Sequence, residues 1–177
     1  MDEQMHRRSQ IVEAAIATLA VEGLAGTSFA KIARTAGLSS TGLISYHFAG
    51  KRELMDKVVR VVTEELTDFV DRRMHEAEGP AAQLRAYIAA NVEFAAKHHA
   101  RLRAARAVGG KPIDTAGGLV ELLRAGQLYG ELRFFDTDVM ATAIRAALDR
   151  VANDPEIDPI QYADELATIF ELATRGA

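Results

Sequence analysis

The strongest chemical signal in the chain is a cluster of small polar, aromatic and basic residues near position 45. Hydroxyl, imidazole and ammonium groups of this kind form hydrogen bonds to base edges and phosphates. A glycine among them lets a helix backbone approach a groove wall closely. The cluster therefore predicts non-covalent recognition of duplex DNA, and its members are Ser40, Thr41, Gly42, Ser45, Tyr46, His47 and Lys51.

The sequence offers much weaker candidates for catalytic or metal-binding residues. His98 and His99 are the only adjacent histidines, and neighbours on a helix point about 100° apart, which makes a poor chelating pair. The chain has no GxSxG, P-loop or HExxH motif. Single carboxylates such as Glu93 and Glu121 fall on helical segments, where a solvated face is the simpler interpretation. We predict no catalytic residue, no metal site and no cofactor.

The elements that must position the polar cluster lie between residues 26 and 54, GTSFAKIARTAGLSSTGLISYHFAGKREL. The spacing predicts two short helices broken near Gly37 and then a longer helix. Ser28 is a suitable cap for the first helix, and Gly37 tolerates the left-handed conformation that ends it. Ser39 or Ser40 would cap the second. Two short helices joined by so tight a turn indicate a helix-turn-helix.

The second short helix has residues suited to two different faces. Leu38, Ile44 and Phe48 are expected to anchor it in the core, while Thr41, Gly42, Ser45 and Tyr46 face outward. Thr41 and Tyr46 are the predicted base contacts. Ser28 and Ser40, as caps, would help helix N-termini meet phosphates. Arg7 and Arg8 could reach the duplex or stay solvated, and the whole motif could instead consist of ordinary capped helices in a bundle.

The phrases FAKIARTAG, LSSTG, SYHF and GKREL together resemble the DNA-binding head of the TetR family of bacterial transcriptional repressors. The resemblance is close over residues 8–60, and LLRAGQLYGELRFFD at 122–136 is similar to a segment before the last two helices of many members. His47 and Lys51 match positions that contact the DNA backbone in that family. The chain departs from the commonest pattern by one extra residue, placed at the Ser39-Ser40 turn, and by Ser45 where members usually have tyrosine.

The remaining sequence predicts an all-α chain. A first helix from about Gln4 to Glu22 has an almost continuously small and apolar middle, which predicts burial on most sides, and Gly23 and Gly26 are expected to close it. A long helix from about residue 50 to 77 is followed by a break at Gly79-Pro80 and a helix over 81–98. Gly50 and Glu53 would open the long helix as a weakened capping box, and its apolar stripe is Leu54, Val58, Val62, Leu66 and Phe69.

Residues 107–118 are predicted to form a loop or distorted junction, and further helices cover 119–129, 138–152 and 160–174. Asp136 or Thr137 would cap the helix at 138–152. The expected domains are a helix-turn-helix DNA-binding domain at 1–47 and a regulatory ligand-binding and dimerisation domain at 48–177.

The resemblance implies a small-molecule effector and a homodimer. Helices that could converge on an effector carry Phe69, Tyr87, Phe94, His98 and Tyr129, although core packing explains these side chains equally well. The alanine-rich stripes of the helices at 138–152 and 160–174 favour close packing, either between two chains or within one. A dimer would present two recognition helices to a palindromic operator.

Charge is distributed unevenly along the chain. Residues 1–62 hold eight Lys or Arg and six Asp or Glu, whereas residues 63–177 hold thirteen and nineteen, for a net charge of −4. The N-terminus lacks an apolar signal region, and no apolar run of about 18 residues occurs, so we expect a cytoplasmic protein. The sequence thus predicts a DNA-binding transcriptional repressor, with a helical ligand-binding or interaction module that does not bind DNA as the alternative.

Overall fold

A computed structural model describes residues 2–109, 116–154 and 156–176. The described residues contain helices and no strand, with one isolated bridge between Leu132 and Arg175, so the predicted all-α class is confirmed. None of these helices is both long enough and apolar enough to cross a membrane. In chain order they are α1 (Asp2–Gly26), α2 (Phe29–Thr35), α3 (Gly42–His47), α4 (Lys51–His75), α5 (Pro80–Lys97), α6 (His99–Gly109), α7 (Ala116–Leu128), α8 (Thr137–Asn153) and α9 (Pro159–Thr174).

The chain forms two compact units, and α4 contributes residues to both. The first comprises Met1–Thr63 and Ala100–Ile113, and the second Glu64–His99 and Asp114–Ala177. These units are defined by packing alone. The division into functional domains at residues 47 and 48 stays a prediction.

Helix α1 forms the centre of the first unit. Its middle is buried on most sides, as its almost continuous apolar sequence predicts, although Val21 is exposed. The buried Thr18 hydroxyl donates to the Ala14 carbonyl across 2.7 Å and bonds Thr35 of α2 at 3.2 Å. Gly23 interrupts the helical conformation with φ +66°, where the sequence pattern predicts the end of the first helix. The buried side chains of α1 are Ile11, Val12, Ala14, Ala15, Ile16, Thr18, Leu19 and Ala20.

Local capping fixes both ends of α2. The Ser28 hydroxyl accepts the Lys31 N–H at 3.3 Å, as predicted. At the other end Gly37 has φ +66°, and the N–H groups of Gly37 and Leu38 donate to the carbonyls of Arg34 and Ala33 at 3.1 and 2.8 Å. This crossed pair of bonds is a Schellman motif, and it stops the helix where the sequence pattern predicts its end.

The second unit is built around α5, which packs against α7, α8 and α9. The predicted break before α5 is confirmed, because Gly79 precedes the helix with φ +81° and Pro80 occupies its first turn. Asp136 and Asp158 cap α8 and α9 by accepting backbone N–H groups, and Asp136 was one of the two predicted caps of α8.

The prediction of a loop or distorted junction over 107–118 is wrong at both ends, where the structure has helix. Helix α6 continues to Gly109 and α7 already begins at Ala116, while 110–115 lie outside the described residues. Glycines lower helix propensity by only about 1 kcal/mol each, so tertiary packing readily retains them in a helix. A Cβ added to Gly118 would meet no atom within 4 Å, which shows that this glycine is not required sterically.

Candidate nucleic-acid interface

Helix α3 is held by two large apolar side chains and directs its polar side outward. Ile44 and Phe48 are fully buried, as predicted, whereas the third expected anchor, Leu38, is only half-buried. Thr41, Gly42, Ser45 and Tyr46 are all exposed, also as predicted. The outward row therefore presents hydroxyl groups, a phenol and a stretch of bare backbone at Gly42.

The start of α3 differs from the sequence prediction. The residue before the helix is Thr41, and neither Ser39 nor Ser40 caps it. Thr41 has a helical backbone, φ −69° and ψ −17°, and makes no side-chain capping bond; a capping hydroxyl normally requires an extended backbone at that position. The extra residue in the turn thus delays the helix by about one position, and Ser40 becomes an exposed turn residue rather than a cap.

Tyr46 is the largest exposed side chain on α3, with 72% of its surface accessible. Its phenol oxygen accepts the Gln4 side-chain N–H at 3.3 Å. The ring meets His47 edge to face, with centroids 5.1 Å apart. These two contacts orient a side chain that would otherwise be free to rotate.

Arg8 has a structural role that the sequence pattern did not indicate. Its Nη1 donates to the His47 carbonyl at 2.6 Å, and Nη2 donates to Glu53 at 2.8 Å. The guanidinium also lies 4.3 Å from the centroid of the Phe48 ring. Arg8 therefore connects α1 with the end of α3 and the start of α4.

Glu53 completes this connection on α4. One carboxylate oxygen accepts from Arg8, and the other accepts the Ala49 N–H at 2.7 Å. The Ala49 hydrogen bond and the Arg8 guanidinium both lower the pKa of Glu53. The predicted capping box at Gly50 and Glu53 is therefore shifted, because the carboxylate accepts the N–H of the residue before Gly50.

Lys51 is tied to the protein through its ammonium group. Nζ donates to the carbonyls of Leu24 and Thr27, at 3.0 and 2.6 Å, and so fastens the start of α4 to the end of α1. An ammonium has three N–H donors, so one remains for a phosphate. The predicted backbone contact is compatible with this geometry and stays a prediction.

The residues proposed to contact an effector all lie in the second unit, in different environments. Phe94 lies edge to face with Phe69, with ring centroids 5.6 Å apart, and its ring is tilted by 40° against His98 with centroids 4.6 Å apart, which makes one ring cluster between α4 and α5. Tyr87 is buried on α5. Tyr129 is 71% exposed after α7, next to Gly130, whose φ is +75°. The effector contacts of these five residues stay a prediction.

A separate cavity of about 620 Å³ lies between α5 and α9 in the second unit. Alanines form much of its wall, and paired charges surround it. Arg85 binds Asp164 and Glu171 at 2.5 and 2.8 Å, while Glu93 binds Lys97 at 2.6 Å and Arg73 at 3.0 Å. None of the five aromatic or histidine residues predicted to contact an effector lines this cavity.

The helix-turn-helix geometry agrees with a family model. Residues 11–58 match the model for bacterial regulatory proteins of the tetR family, which includes α2, α3, Lys51 and Glu53. This segment of the chain therefore carries the DNA-binding domain of the tetR family. The resemblance inferred from FAKIARTAG, SYHF and GKREL is thereby confirmed.

Individual relatives extend this comparison. The HTH-type transcriptional regulator BetI of Paraburkholderia xenovorans is 38% identical over 88 residues, which is 49% of this chain and 45% of BetI. The chain thus spans less than half the length of that curated relative.

Solved structures show the same fold over nearly the whole chain. A TetR-family transcription regulator from Marinobacter aquaeolei has a TM-score of 0.80 and 16% identity, with full coverage of both chains. AibR in complex with isovaleryl coenzyme A and operator DNA has a TM-score of 0.77 and 18% identity over 92% of this chain and 97% of AibR. At these identities the likeness concerns the fold.

Proposed function

We propose that the protein is a sequence-specific DNA-binding transcriptional regulator, and that it acts as a homodimeric repressor which a small-molecule effector releases from a palindromic operator. The observation that carries the proposal is the two-faced α3 helix. Ile44 and Phe48 are buried beneath it, while Thr41, Gly42, Ser45 and Tyr46 form a polar exposed row. A helix with this arrangement is suited to lie in a major groove.

The proposed DNA contacts fall into two classes, those to base edges and those to phosphates. Thr41 and Tyr46 would contact base edges, and Gly42 would allow close approach of the backbone. Ser28, Ser40, Ser45, His47 and Lys51 would contact the phosphate backbone, which fixes the register without reading the sequence. Ser40 would do so from the exposed turn, with no help from a helix cap.

The regulatory part of the proposal concerns α4 and the second unit. An effector bound there would displace α4 and so separate or rotate the two recognition helices of the dimer. This is a population shift between DNA-competent and DNA-incompetent states, so DNA must weaken effector binding by the same factor. The AibR structure contains both a coenzyme A thioester and operator DNA, which supports the idea that this fold can combine the two kinds of partner.

Selection of bound duplexes from a random library tests DNA binding, palindromy and half-site spacing together. The expected result is an inverted repeat whose half-sites lie about 34 to 36 Å apart, or a multiple of that distance. Affinity for the selected duplex should fall steeply as salt rises. A library that yields no enriched sequence, together with no binding to random duplex at low salt, would instead favour a ligand-binding or interaction module without DNA binding.

Thr41→Ala and Tyr46→Ala are matched with Lys51→Met in the same assay. The first two should weaken binding to the selected operator more than binding to random duplex. The third should weaken both equally and reduce the salt slope by about one phosphate. Equal losses on both duplexes for all three variants would contradict the assignment of Thr41 and Tyr46 to base contacts.

A further inference from the structure

The side chain of Gln4 turns its amide nitrogen towards the phenol oxygen of Tyr46. The amide nitrogen of Gln4 donates, and the phenol oxygen of Tyr46 accepts, at 3.3 Å. A phenol has one hydrogen to donate and lone pairs to accept. Because a lone pair of Tyr46 is engaged by Gln4, its own hydrogen is left to point away from Gln4 towards another acceptor.

We propose that Gln4 is a positioning residue that fixes Tyr46 as a hydrogen-bond donor, so that Tyr46 selects a base with an acceptor on its major-groove edge. This inference rests on the proposed DNA binding and specifies the base chemistry at one of its contacts. Guanine offers two acceptors there, and thymine offers one. Cytosine offers only an amino donor, so it is the base that this arrangement rejects.

The surroundings of Tyr46 favour a fixed orientation. His47 meets the ring edge to face at 5.1 Å, and Gln4 engages the hydroxyl at the far end. The ring is therefore restrained at its side and at its tip while most of its surface stays accessible. A side chain ordered before binding loses less entropy on contact than a free one, which sharpens discrimination.

Both partners of the bond are exposed, so its loss should hardly affect folding. Exposed side-chain pairs contribute little to stability, and Gln4 lies in the first turns of α1, ahead of the buried segment that begins at Ile11. Thermal unfolding of Gln4→Ala and Gln4→Glu should therefore match that of the parent chain. This separates an effect on recognition from an effect on the fold.

The experiment measures affinity of the full chain for the selected operator with each of the four bases at the position that faces Tyr46. That position is the one at which Tyr46→Phe changes the base preference. The parent protein should disfavour cytosine, and Tyr46→Phe should reduce this discrimination about three- to ten-fold, the range of one net hydrogen bond. Gln4→Ala should reduce it in part, because the hydroxyl becomes free to rotate.

Gln4→Glu is the decisive variant. A carboxylate at position 4 would accept the Tyr46 hydrogen and turn the phenol lone pairs outward, so the preference should shift towards bases with an amino donor, cytosine and adenine. Ser9→Glu adds the same charge to an exposed position of α1 and should lower affinity for all four duplexes alike. The ratio of the affinities for the four duplexes therefore separates the effect of hydrogen-bond polarity at Tyr46 from the effect of an added negative charge.

The failures are distinguishable. If the parent chain binds no duplex, the proposed function fails. If it binds but Tyr46→Phe leaves every base ratio unchanged, Tyr46 does not select a base and the inference is overturned. If Tyr46→Phe changes the ratios while Gln4→Glu does not shift them towards cytosine and adenine, Gln4 does not set the polarity and the inference is likewise overturned.

Discussion

Arg8 and Glu53 lie 45 positions apart in the sequence, yet the guanidinium and the carboxylate meet at 2.8 Å beside the end of the recognition helix. Arg8 also donates to the His47 carbonyl, and Glu53 also accepts the Ala49 N–H. These bonds hold the C-terminal end of α3 against the first turn of α4. The orientation of the proposed recognition helix therefore depends on an ion pair outside its exposed face.

The Arg8–Glu53 pair makes part of the stability pH-dependent. The folded-state pKa of Glu53 lies below its ordinary value of 4.5, first because of the Ala49 hydrogen bond and then because of Arg8. A lowered pKa stabilises the fold above the ordinary value, and this contribution disappears as the pH falls through the folded-state pKa. Thermal unfolding between pH 3 and 7 should show a smaller loss on acidification for Glu53→Gln than for the parent.

The Arg8→Ala background provides the control for this measurement. Without the guanidinium, the effect of Glu53→Gln on the acid-induced loss of stability should shrink but not vanish, because the Ala49 N–H remains. An equal effect in both backgrounds would mean that Arg8 does not contribute to the lowered pKa. Since both side chains are partly exposed, added salt should also reduce the Arg8-dependent part.

Local features of the fold were predictable from the sequence because near neighbours decide them. Ser28 caps α2 through the N–H three residues on, Gly37 supplies the left-handed conformation, and Asp136 caps α8. The buried face of α4 likewise follows the predicted apolar spacing, with Leu54, Val58 and Val62 fully buried. Helix periodicity and capping are encoded within a few residues, so these predictions needed no knowledge of packing.

The partners of the charged residues could not be predicted in the same way. Arg8 reaches His47 and Glu53, and Lys51 reaches the carbonyls of Leu24 and Thr27, across 24 to 45 positions of sequence. Such pairs exist only after helices pack, and sequence spacing carries no signal for them. The cap of α3 was mispredicted because Thr41 rather than a serine occupies the cap position, and its helical backbone makes no side-chain capping bond.

Lys51→Met should destabilise the first unit. The substitution leaves the carbonyls of Leu24 and Thr27 without the ammonium, and a hydrogen bond to a charged group contributes about 1.5 to 3 kcal/mol at most, less where water has access. We expect a loss of about 1 kcal/mol in the free energy of unfolding, measured by urea titration. Arg52→Met is the matched control, because Arg52 is 96% exposed and should change stability very little.

Alanine at two glycines of the helix-turn-helix should affect different properties. Gly37→Ala should lower stability, whereas Gly42→Ala should weaken DNA binding. Gly37 has φ +66°, so Gly37→Ala forces a side chain into the left-handed region and should lower the free energy of unfolding by about 1 to 2 kcal/mol. Gly42 lies in α3, and an added Cβ would meet only the Ser40 hydroxyl, at 3.4 Å. The Gly42→Ala protein should therefore fold normally, which thermal melts would show. It should bind the operator less tightly, which a gel-shift assay would measure.

Gly126 tests the packing of the second unit. A Cβ at this position would overlap the Leu132 side chain and lie 3.2 Å from Pro80 Cβ, and Leu132 is buried and has little room to move. Gly126→Ala should lower the free energy of unfolding by about 1 to 3 kcal/mol, the usual range for overpacking. Gly118→Ala on the same helix meets no atom within 4 Å and should be neutral or slightly stabilising.

Substitution of exposed apolar side chains by aspartate tests whether a dimer forms through α8 and α9. Ile160 and Leu172 are 82% and 67% exposed on α9, and Ile169 and Val139 are also exposed. A charge buried in an interface core is strongly unfavourable, so Ile169→Asp or Leu172→Asp should convert a dimer to monomers in sedimentation experiments. Val21→Asp places the same charge on an exposed apolar residue of α1 and should leave the dimer intact.

The same variants connect assembly to DNA recognition. A dimer binds both half-sites of an inverted repeat, and the second contact is effectively intramolecular, so affinity exceeds that for one half-site by orders of magnitude. Monomeric Leu172→Asp should keep half-site affinity, because its α3 helix is unchanged, but should lose the additional affinity for the full operator. A Leu172→Asp protein that stays dimeric and binds the operator normally would show that the two chains associate elsewhere.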